Sequence, residues 1–571
     1  MSRHPPPPPR WLPAGFRAGS WEGIAPWLAD LERRPIAGLA DLERWLLDRS
    51  ELDAWVGEEG TRRSVTAACR TDDAAAKRAH LEFQTIIVPK IQPVDDRLDR
   101  KYLACPHRAA LDRRAWEVYD RSVELAVRLF REENVPLEAE EEELSVEYGR
   151  ITGAMTVNWR GREWTLPELA PFAEEPDRAL RETTWRLAAA RRGADSAALD
   201  DLFDRMHALR ARIAANAGFA NYRDFMHAAK GRFDYAPQDC LAFGESVARH
   251  VLPVLRRMGE WRRERLGLDR LRPWDLAVDP LHAPAFQPFQ DQAGQVAIAS
   301  GLLARVRPEF ADELAWMQES RLLDLESRPH KRMGGFMSNF DGVRWPFIFS
   351  NSGRTHGDVE TLVHESGHAL HALAAREREP VDHREAPLEF AEVASMGMEA
   401  MCMEHLGEVY PQEQVRAARL RSLESIASTF AWVAVVDGFQ HRIYTEPCLG
   451  AEARRRAWLD LRERFGSGVN WSGLATERAR EWHRQIHIFE VPFYYIEYAL
   501  AQIGALQLWV RYRRDPRDAV ERYLEGLRLG GARPLPELFA AAGLRFDPRG
   551  ETLPELMKEL EEAWAREVGL A

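Results

Sequence analysis

Apolar residues recur at three-and-four spacing over much of the N-terminal region, with Leu39, Leu42, Trp45 and Leu46 as one run. That period puts them on one face of an α-helix, so Trp21 to Asn134 is predicted to be mostly helical. Glu138 and Glu140 to Glu143 follow as an acidic run, which reads as a solvated linker or helix end. The pattern then changes. Met155-Thr-Val-Asn-Trp-Arg-Gly-Arg-Glu-Trp-Thr165 alternates about Arg160-Gly161, predicting a β-hairpin near 155–165. Helical spacing resumes near Pro167. Met206 to Phe225 reads as a helix, a stop at Gly218 and a new start. Leu268 to Pro288 contains Pro273, Pro280, Pro284 and Pro288 and is predicted to be an extended connection, because proline lacks the N–H that a helix interior needs. Gly342 to Asn351 is short, aromatic and apolar, and predicts a strand. It is either a sheet edge able to pair with the backbone of an extended peptide, or an internal core strand. The remainder, to Ala571, is helical again, with no repeat at periods of 20 to 50 residues.

Composition adds bounds to this mainly α reading. At 571 residues the chain exceeds what one hydrophobic core fills, so at least two lobes are expected. Lys plus Arg number 78 against 90 Asp plus Glu, a net charge of −12 with no basic stripe, which argues against a nucleic-acid partner. The longest apolar stretch, around Ile426 to Val436, ends at Asp437 and is too short for a bilayer, so no membrane partner is expected. Cys69, Cys105, Cys240, Cys402 and Cys448 are scattered and odd in number, a usage expected of reduced thiols in a cytoplasmic protein. Residues 1–15 hold Pro5 to Pro9, a polyproline-like arm expected to be disordered, without the apolar core of a secretory signal.

The candidate chemistry centres on Thr361 to His371, which contains His364-Glu365-Ser366-Gly367-His368. On a helix, positions i and i+4 share a face, so His364 and His368 can offer two imidazoles to one metal ion, with Glu365 beside them to hold a water. Asp358 or Thr355 supplies an N-cap, and Leu362, Val363, Ala369, Leu370 and Leu373 supply the apolar flank. Glycine at 367 costs roughly 1 kcal/mol in a helix interior, which suggests that another backbone packs close there. A catalytic zinc needs a third protein ligand. Glu392 is the candidate, on a helix expected to start at Pro387. There Glu389, Glu392, Met396 and Glu399 share a face, and Ala391, Ala394, Ser395, Gly397 and Ala400 are small enough for close helix packing. Glu399 and His371 are candidates to orient the ligating imidazoles, or to be polar groups of the core.

Gly334-Gly-Phe336, Trp345-Pro-Phe-Ile-Phe-Ser-Asn351, the His364–His371 stretch and Ala391-Glu-Val-Ala-Ser395 together resemble the thimet oligopeptidase and oligoendopeptidase F family of zinc metallopeptidases, most closely the bacterial oligoendopeptidase F branch. The resemblance runs from around Trp21 to the end. It implies a two-lobed, mainly helical zincin of the neurolysin type, with a small β-sheet beside the metal helix and a deep substrate channel between the lobes. It assigns 16–198 to an N-terminal helical lobe and 199–571 to the catalytic domain. It implies one Zn2+ per chain, bound by His364, His368 and Glu392, with Glu365 as catalytic base. A second block, His487-Ile-Phe-Glu-Val-Pro-Phe-Tyr-Tyr-Ile-Glu-Tyr498, resembles the family's His and tyrosines that contact the substrate carbonyl and tetrahedral intermediate. His487, Tyr495 and Tyr498 are the expected donors, with Tyr494 as a further substrate contact. Ser366 stands where relatives carry a bulkier apolar residue, and the second block has Pro492 and no glycine-rich loop.

The expected function is cleavage of internal bonds in short peptides by a zinc-bound water activated by Glu365. A catalytically idle peptide-binding scaffold and a zinc hydrolase of a non-peptide amide are the alternatives. The complete set of Glu365 and three candidate ligands favours the enzyme. The sequence leaves oligomeric state and cleavage preference open.

Overall fold

A computed structural model describes residues 3–281, 286–328, 330–332, 334–446 and 449–570. Cys448 and Pro284 lie outside them. Five short strands are described: β1 (Thr156–Trp159), β2 (Arg162–Thr165), β3 (Leu323–Glu326), β4 (Phe336–Phe340) and β5 (Trp345–Ser352). The rest of the regular structure is helical, as the three-and-four spacing predicts. No described helix is long and apolar enough to cross a membrane.

The chain forms two compact units, each assembled from separate stretches. The first comprises residues 1–130, 286–412 and 504–546; the second comprises 131–285, 413–503 and 547–571. Neither follows the linear division expected at residue 198, because a compact unit is defined by which segments pack together rather than by chain order.

In the first unit, β3, β5 and β4 form a three-stranded sheet in that order, with β3 parallel and β4 antiparallel to β5. The strand read from Gly342 to Asn351 is therefore internal. The edges are β3 and β4; the residues of β4 carry no clear alternation, and its pairing is a tertiary fact. Phe347, Ile348 and Phe349 are buried, and the helix His356–Ala375 packs on the sheet. Lys331 binds β3 to β5. Its side chain is fully buried, and Nζ donates to the Asp324 and Glu326 carbonyls at 3.0 and 2.9 Å, to Ser350 O at 2.5 Å and to Asp324 Oδ1 at 2.8 Å. Arg328 closes the other side of the Asp324 carboxylate at 2.6 and 2.7 Å. The proline-rich arm, expected to be disordered, lies against this unit from Arg3 onward. Trp345 Nε1 donates to His4 O at 2.8 Å, Arg376 Nη2 donates to Pro5 O at 2.9 Å, and the Trp11 and Leu12 amides donate to Glu51.

In the second unit, β1 and β2 pair antiparallel across Arg160-Gly161, both at positive φ, 53° and 75°. The helix Ser196–Asn216 ends ahead of Gly218, whose φ of 83° takes the chain out of the helix toward Tyr222–Ala229. The acidic run is not a linker. It lies within the helix Val135–Gly153, where Glu141 accepts from the fully buried Arg210 at 2.6 Å. Arg210 also donates to Tyr444 Oη and Ile488 O, so one buried guanidinium organises three segments of this unit.

Burial costs Asp324, but its bonds to Arg328 and Lys331 win and hold its carboxyl far below the usual carboxylate range. A depressed folded-state pKa means the unfolded chain binds more protons. The stabilisation is present above about pH 4, the usual value for Asp, and is lost as pH falls below it. Lys331→Met should lower stability by about 3–5 kcal/mol at neutral pH, as expected when one partner of a buried pair is removed. Its stability should also fall less steeply than wild type below about pH 4, since part of the linked term is gone. Denaturant melts across pH check both.

Candidate active site

The helix His356–Ala375 starts where the sequence can cap it. Thr355 is the N-cap, and Asp358 reaches back to accept from the Thr355 amide at 2.7 Å and from Gly353 N at 3.0 Å. The partner helix runs Leu388–Met403, with Pro387 one residue outside it as N-cap rather than as its first residue. The two helices meet backbone to backbone at Gly367. A Cβ there would stand 2.6 Å from Ala394 O and 2.6 Å from Ser395 Cα. Tyr523 Oη, donating to Ala394 O at 2.7 Å, holds the partner helix from behind.

That approach brings three donor groups together. His364 Nε2 and His368 Nε2 lie 3.5 and 3.6 Å from the same oxygen, Glu392 Oε2. Ligand atoms about a tetrahedral zinc, at bonds of about 2.0–2.1 Å, sit about 3.3–3.4 Å apart. The donor set of two imidazoles and a carboxylate therefore fits zinc in both chemistry and spacing. The three form one of two potential metal-holding clusters among the described residues. The surrounding bonds fix the donors. Ser395 Oγ donates to Glu392 Oε2 at 3.0 Å, the His368 ring is hydrogen-bonded to the Ala391 backbone, and His364 Nδ1 bonds Glu399 Oε1 at 2.5 Å. Glu399 thus hydrogen-bonds a ring of the donor set. His371 does not. It is buried edge-on to Phe390 at 5.7 Å, its Nε2 lacks a hydrogen-bond partner, and burial lowers its pKa to about 4.

The electrostatics favour a cation at this point. Burial opposes charge on His364, yet the Glu399 hydrogen bond and then Glu399, Glu392 and Glu365 raise its pKa to about 9. His368 is driven the other way, well below its ordinary value, by burial and by the neighbouring His364 charge. Glu365 lies close enough to His364 and Glu392 to feel their charges. It is buried, and burial followed by the Glu392 charge raises its pKa to about 7. Its carboxylate accepts from the backbone N–H of Met337, on the edge strand β4. That contact was not legible in the sequence.

His487, Tyr494, Tyr495 and Tyr498 belong to the second unit and form one aromatic cluster. The His487 ring centroid is 5.6 Å from Tyr494, 4.7 Å from Tyr495 and 5.9 Å from Tyr498. Trp432 and Gln485, which the sequence did not single out, determine the proton position on His487. Trp432 Nε1 can only donate, and it meets Gln485 Oε1 at 3.1 Å. The Gln485 amide nitrogen is therefore the atom 2.8 Å from His487 Nδ1, which must accept. The imidazole proton then resides on Nε2. Burial and the Lys230 charge lower the His487 pKa to about 4, so the ring is neutral at physiological pH. The Tyr495 hydroxyl is engaged by the same Gln485 and Trp432.

The contact at Gly367 gives a direct test. Gly367→Ala should force the helices apart and destabilise the protein by about 1–3 kcal/mol, the usual penalty for overpacking. Its metal affinity should fall as well, because Glu392 and the two histidines separate. Melting and metal titration of the variant measure the two effects.

The chain resembles known proteins throughout. Oligopeptidase PepF of Bacillus subtilis is 27% identical over 339 residues, covering 56% of this chain and 49% of that protein. An oligoendopeptidase F homolog of Lactococcus lactis is 27% identical over 309 residues, covering 53% of this chain and 50% of that protein. The chain thus spans about half the length of the curated relatives it matches. The solved structure of PZ peptidase A with inhibitor 2 superposes with a TM-score of 0.89 at 25% identity, covering 96% of this chain and 98% of that one. Residues 172–557 match the family model for Peptidase family M3, and the stretch includes both helices of the site and the histidine–tyrosine cluster; the chain belongs to peptidase family M3.

Proposed function

We propose that the chain is a zinc-dependent oligoendopeptidase that hydrolyses internal bonds of short peptides. The observation that carries this reading is the convergence of His364 Nε2 and His368 Nε2 on Glu392 Oε2, with Glu365 buried next to the first of them. Family membership and the oligopeptidases among its relatives support the substrate class. His364, His368 and Glu392 would hold a zinc ion, which when bound would supply Lewis acidity to the scissile carbonyl and to a water. Glu365 takes the proton of the attacking water and returns it to the leaving amine. Its anchor to the Met337 amide keeps its carboxylate in one orientation while the proton moves. Glu399 and the Ala391 backbone hold the imidazoles in the rotamers that face Glu392.

As an outer strand, β4 suits an extended peptide, because main-chain pairing serves any sequence. His487, neutral and protonated on Nε2, is a donor suited to a carbonyl oxygen. Tyr498 is the second donor in this reading, on the resemblance of its block to the family's tyrosines.

Metal content separates ligands from base. His364→Ala, His368→Ala and Glu392→Ala should lose the metal of this site and all turnover. Glu365→Gln should keep the metal and lose about 10²–10⁴-fold in kcat, the range of general acid–base catalysis. A Glu392→Ala chain with full metal would move the third ligand elsewhere.

Tyr498→Phe should lower kcat and kcat/KM together by about 10²–10³-fold with KM nearly unchanged, as loss of an oxyanion donor does. Turnover of a quenched fluorescent peptide, with a parallel melt, reads it. A variant within about threefold of wild-type kcat would return Tyr498 to the core, being far short of the donor range.

A further inference from the structure

A second cluster of metal-ligating side chains lies in the second unit. Cys240 is the fourth residue of the helix Pro237–Ser246, and Asp437 and His441 stand one turn apart on the long helix Gln412–Thr445. One donor atom from each lies within 4.8 Å of the other two, and all three residues are buried, at 4%, 3% and 5% exposure. His441 Nε2 is 3.2 Å from Asp437 Oδ2, already the donor separation of about 3.3 Å found around tetrahedral zinc. Two polar atoms here have no hydrogen-bond partner, Asp437 Oδ1 and His441 Nδ1. The thiol has only a long contact, 3.8 Å, to Ala236 O. Buried polar atoms left unpaired are destabilising and call for an explanation. A bound ion gives the Asp437 carboxylate a further partner; His441 Nδ1 points away from Nε2 and stays outside its reach.

We propose that Cys240, Asp437 and His441 form a second, structural site for a borderline-soft divalent ion of the zinc class, which staples the helix Pro237–Ser246 to the helix Gln412–Thr445. Thiolate, imidazole and carboxylate together select zinc or cobalt over magnesium or calcium. Binding displaces one proton, from the thiol. Burial otherwise keeps that thiol protonated, with its pKa well above the ordinary value. A dication with one thiolate and one carboxylate leaves the buried cluster neutral. The cation nearest in charge to the thiol, Arg232, is already paired with Glu497 at 2.7 Å. The His227 imidazole alongside is neutral at physiological pH, its pKa lowered to about 4 chiefly by burial. The staple also reaches the tyrosine block. His441 packs edge-on to Phe493 at 5.7 Å, and its neighbour Gln440 accepts the Phe493 amide at 2.7 Å. Phe493 has a φ of 62°, so this turn is strained and needs support.

The test counts ions in the full-length chain. Zinc is measured in protein from zinc-supplemented culture, then the protein is exchanged with Co2+ alone. Wild type should hold two ions per chain, and the cobalt form should show thiolate-to-cobalt charge-transfer absorption, which the His364–His368–Glu392 set cannot produce. The His364→Ala/His368→Ala chain should keep one ion and the full absorption. Cys240→Ser should keep one ion and lose the absorption. The proposal is overturned if the His364→Ala/His368→Ala chain holds no ion, if its cobalt form lacks the thiolate band, or if Cys240→Ser retains that band. Should Cys240→Ser fail to fold, the two preparations that keep Cys240 decide alone. A wild-type chain with a single, thiolate-ligated ion would sustain this site while refuting zinc at the other.

Discussion

The distance between two backbones governs the candidate site. Where the helices His356–Ala375 and Leu388–Met403 cross, the absence of a single Cβ at Gly367 lets the chain of Ala394 and Ser395 come within contact. A larger residue at 367 would hold the two helices farther apart and draw Glu392 away from the imidazoles of its neighbour. The glycine lowers helix propensity locally, and tertiary packing offsets that loss. Around the crossing, three polar contacts work in the same direction. Ser395 holds Glu392, Glu399 holds His364, and the Ala391 backbone holds His368. The donors are oriented by the packed helices themselves, which is the arrangement a metal site needs to be rigid.

Much of this was legible in the sequence because it is local. The i, i+4 spacing of the histidines, the cap at Thr355, the glycine, and the shared face of Glu392 and Glu399 are all properties of single helices. What the sequence hid is non-local. Strand order made β5 internal and left β4 at the edge, and nothing in the short apolar run 342–351 distinguishes these cases. His371 lies three residues beyond His368 and reads as a candidate orienting group, yet Phe390 occupies the space it faces. Glu141 looked like part of a solvated run until Arg210, 69 positions later, was brought to it. Cys240 and the Asp437–His441 pair are separated by nearly 200 positions, so no spacing rule could join them. The arm of prolines was read as disordered from its composition; its order comes from Trp345, Arg376 and Glu51, which composition cannot see.

The tautomer of His487 shows how a chemically inert group, two hydrogen bonds away, can determine where a proton resides. An indole N–H cannot accept, so Trp432 orients the Gln485 amide, and the amide in turn orients the imidazole. The side chains in this relay carry no net charge, and burial together with Lys230 keeps the imidazole neutral as well. The result is a fixed dipole instead of a fixed charge, which costs little to reorganise when a neighbouring oxygen becomes negative.

The edge strand β4 has five residues. Successive residues of a strand point their main-chain groups to alternate sides, so such an edge presents only about two or three residues to an incoming chain. One of its amides, that of Met337, is committed to Glu365. An adhesive surface this small has a short residence time, since few main-chain hydrogen bonds must break for release. It also discriminates weakly among sequences, since it reads the backbone and not the side chains. On the proposed reading, such an edge favours throughput over retention, and a broad diet over a narrow one.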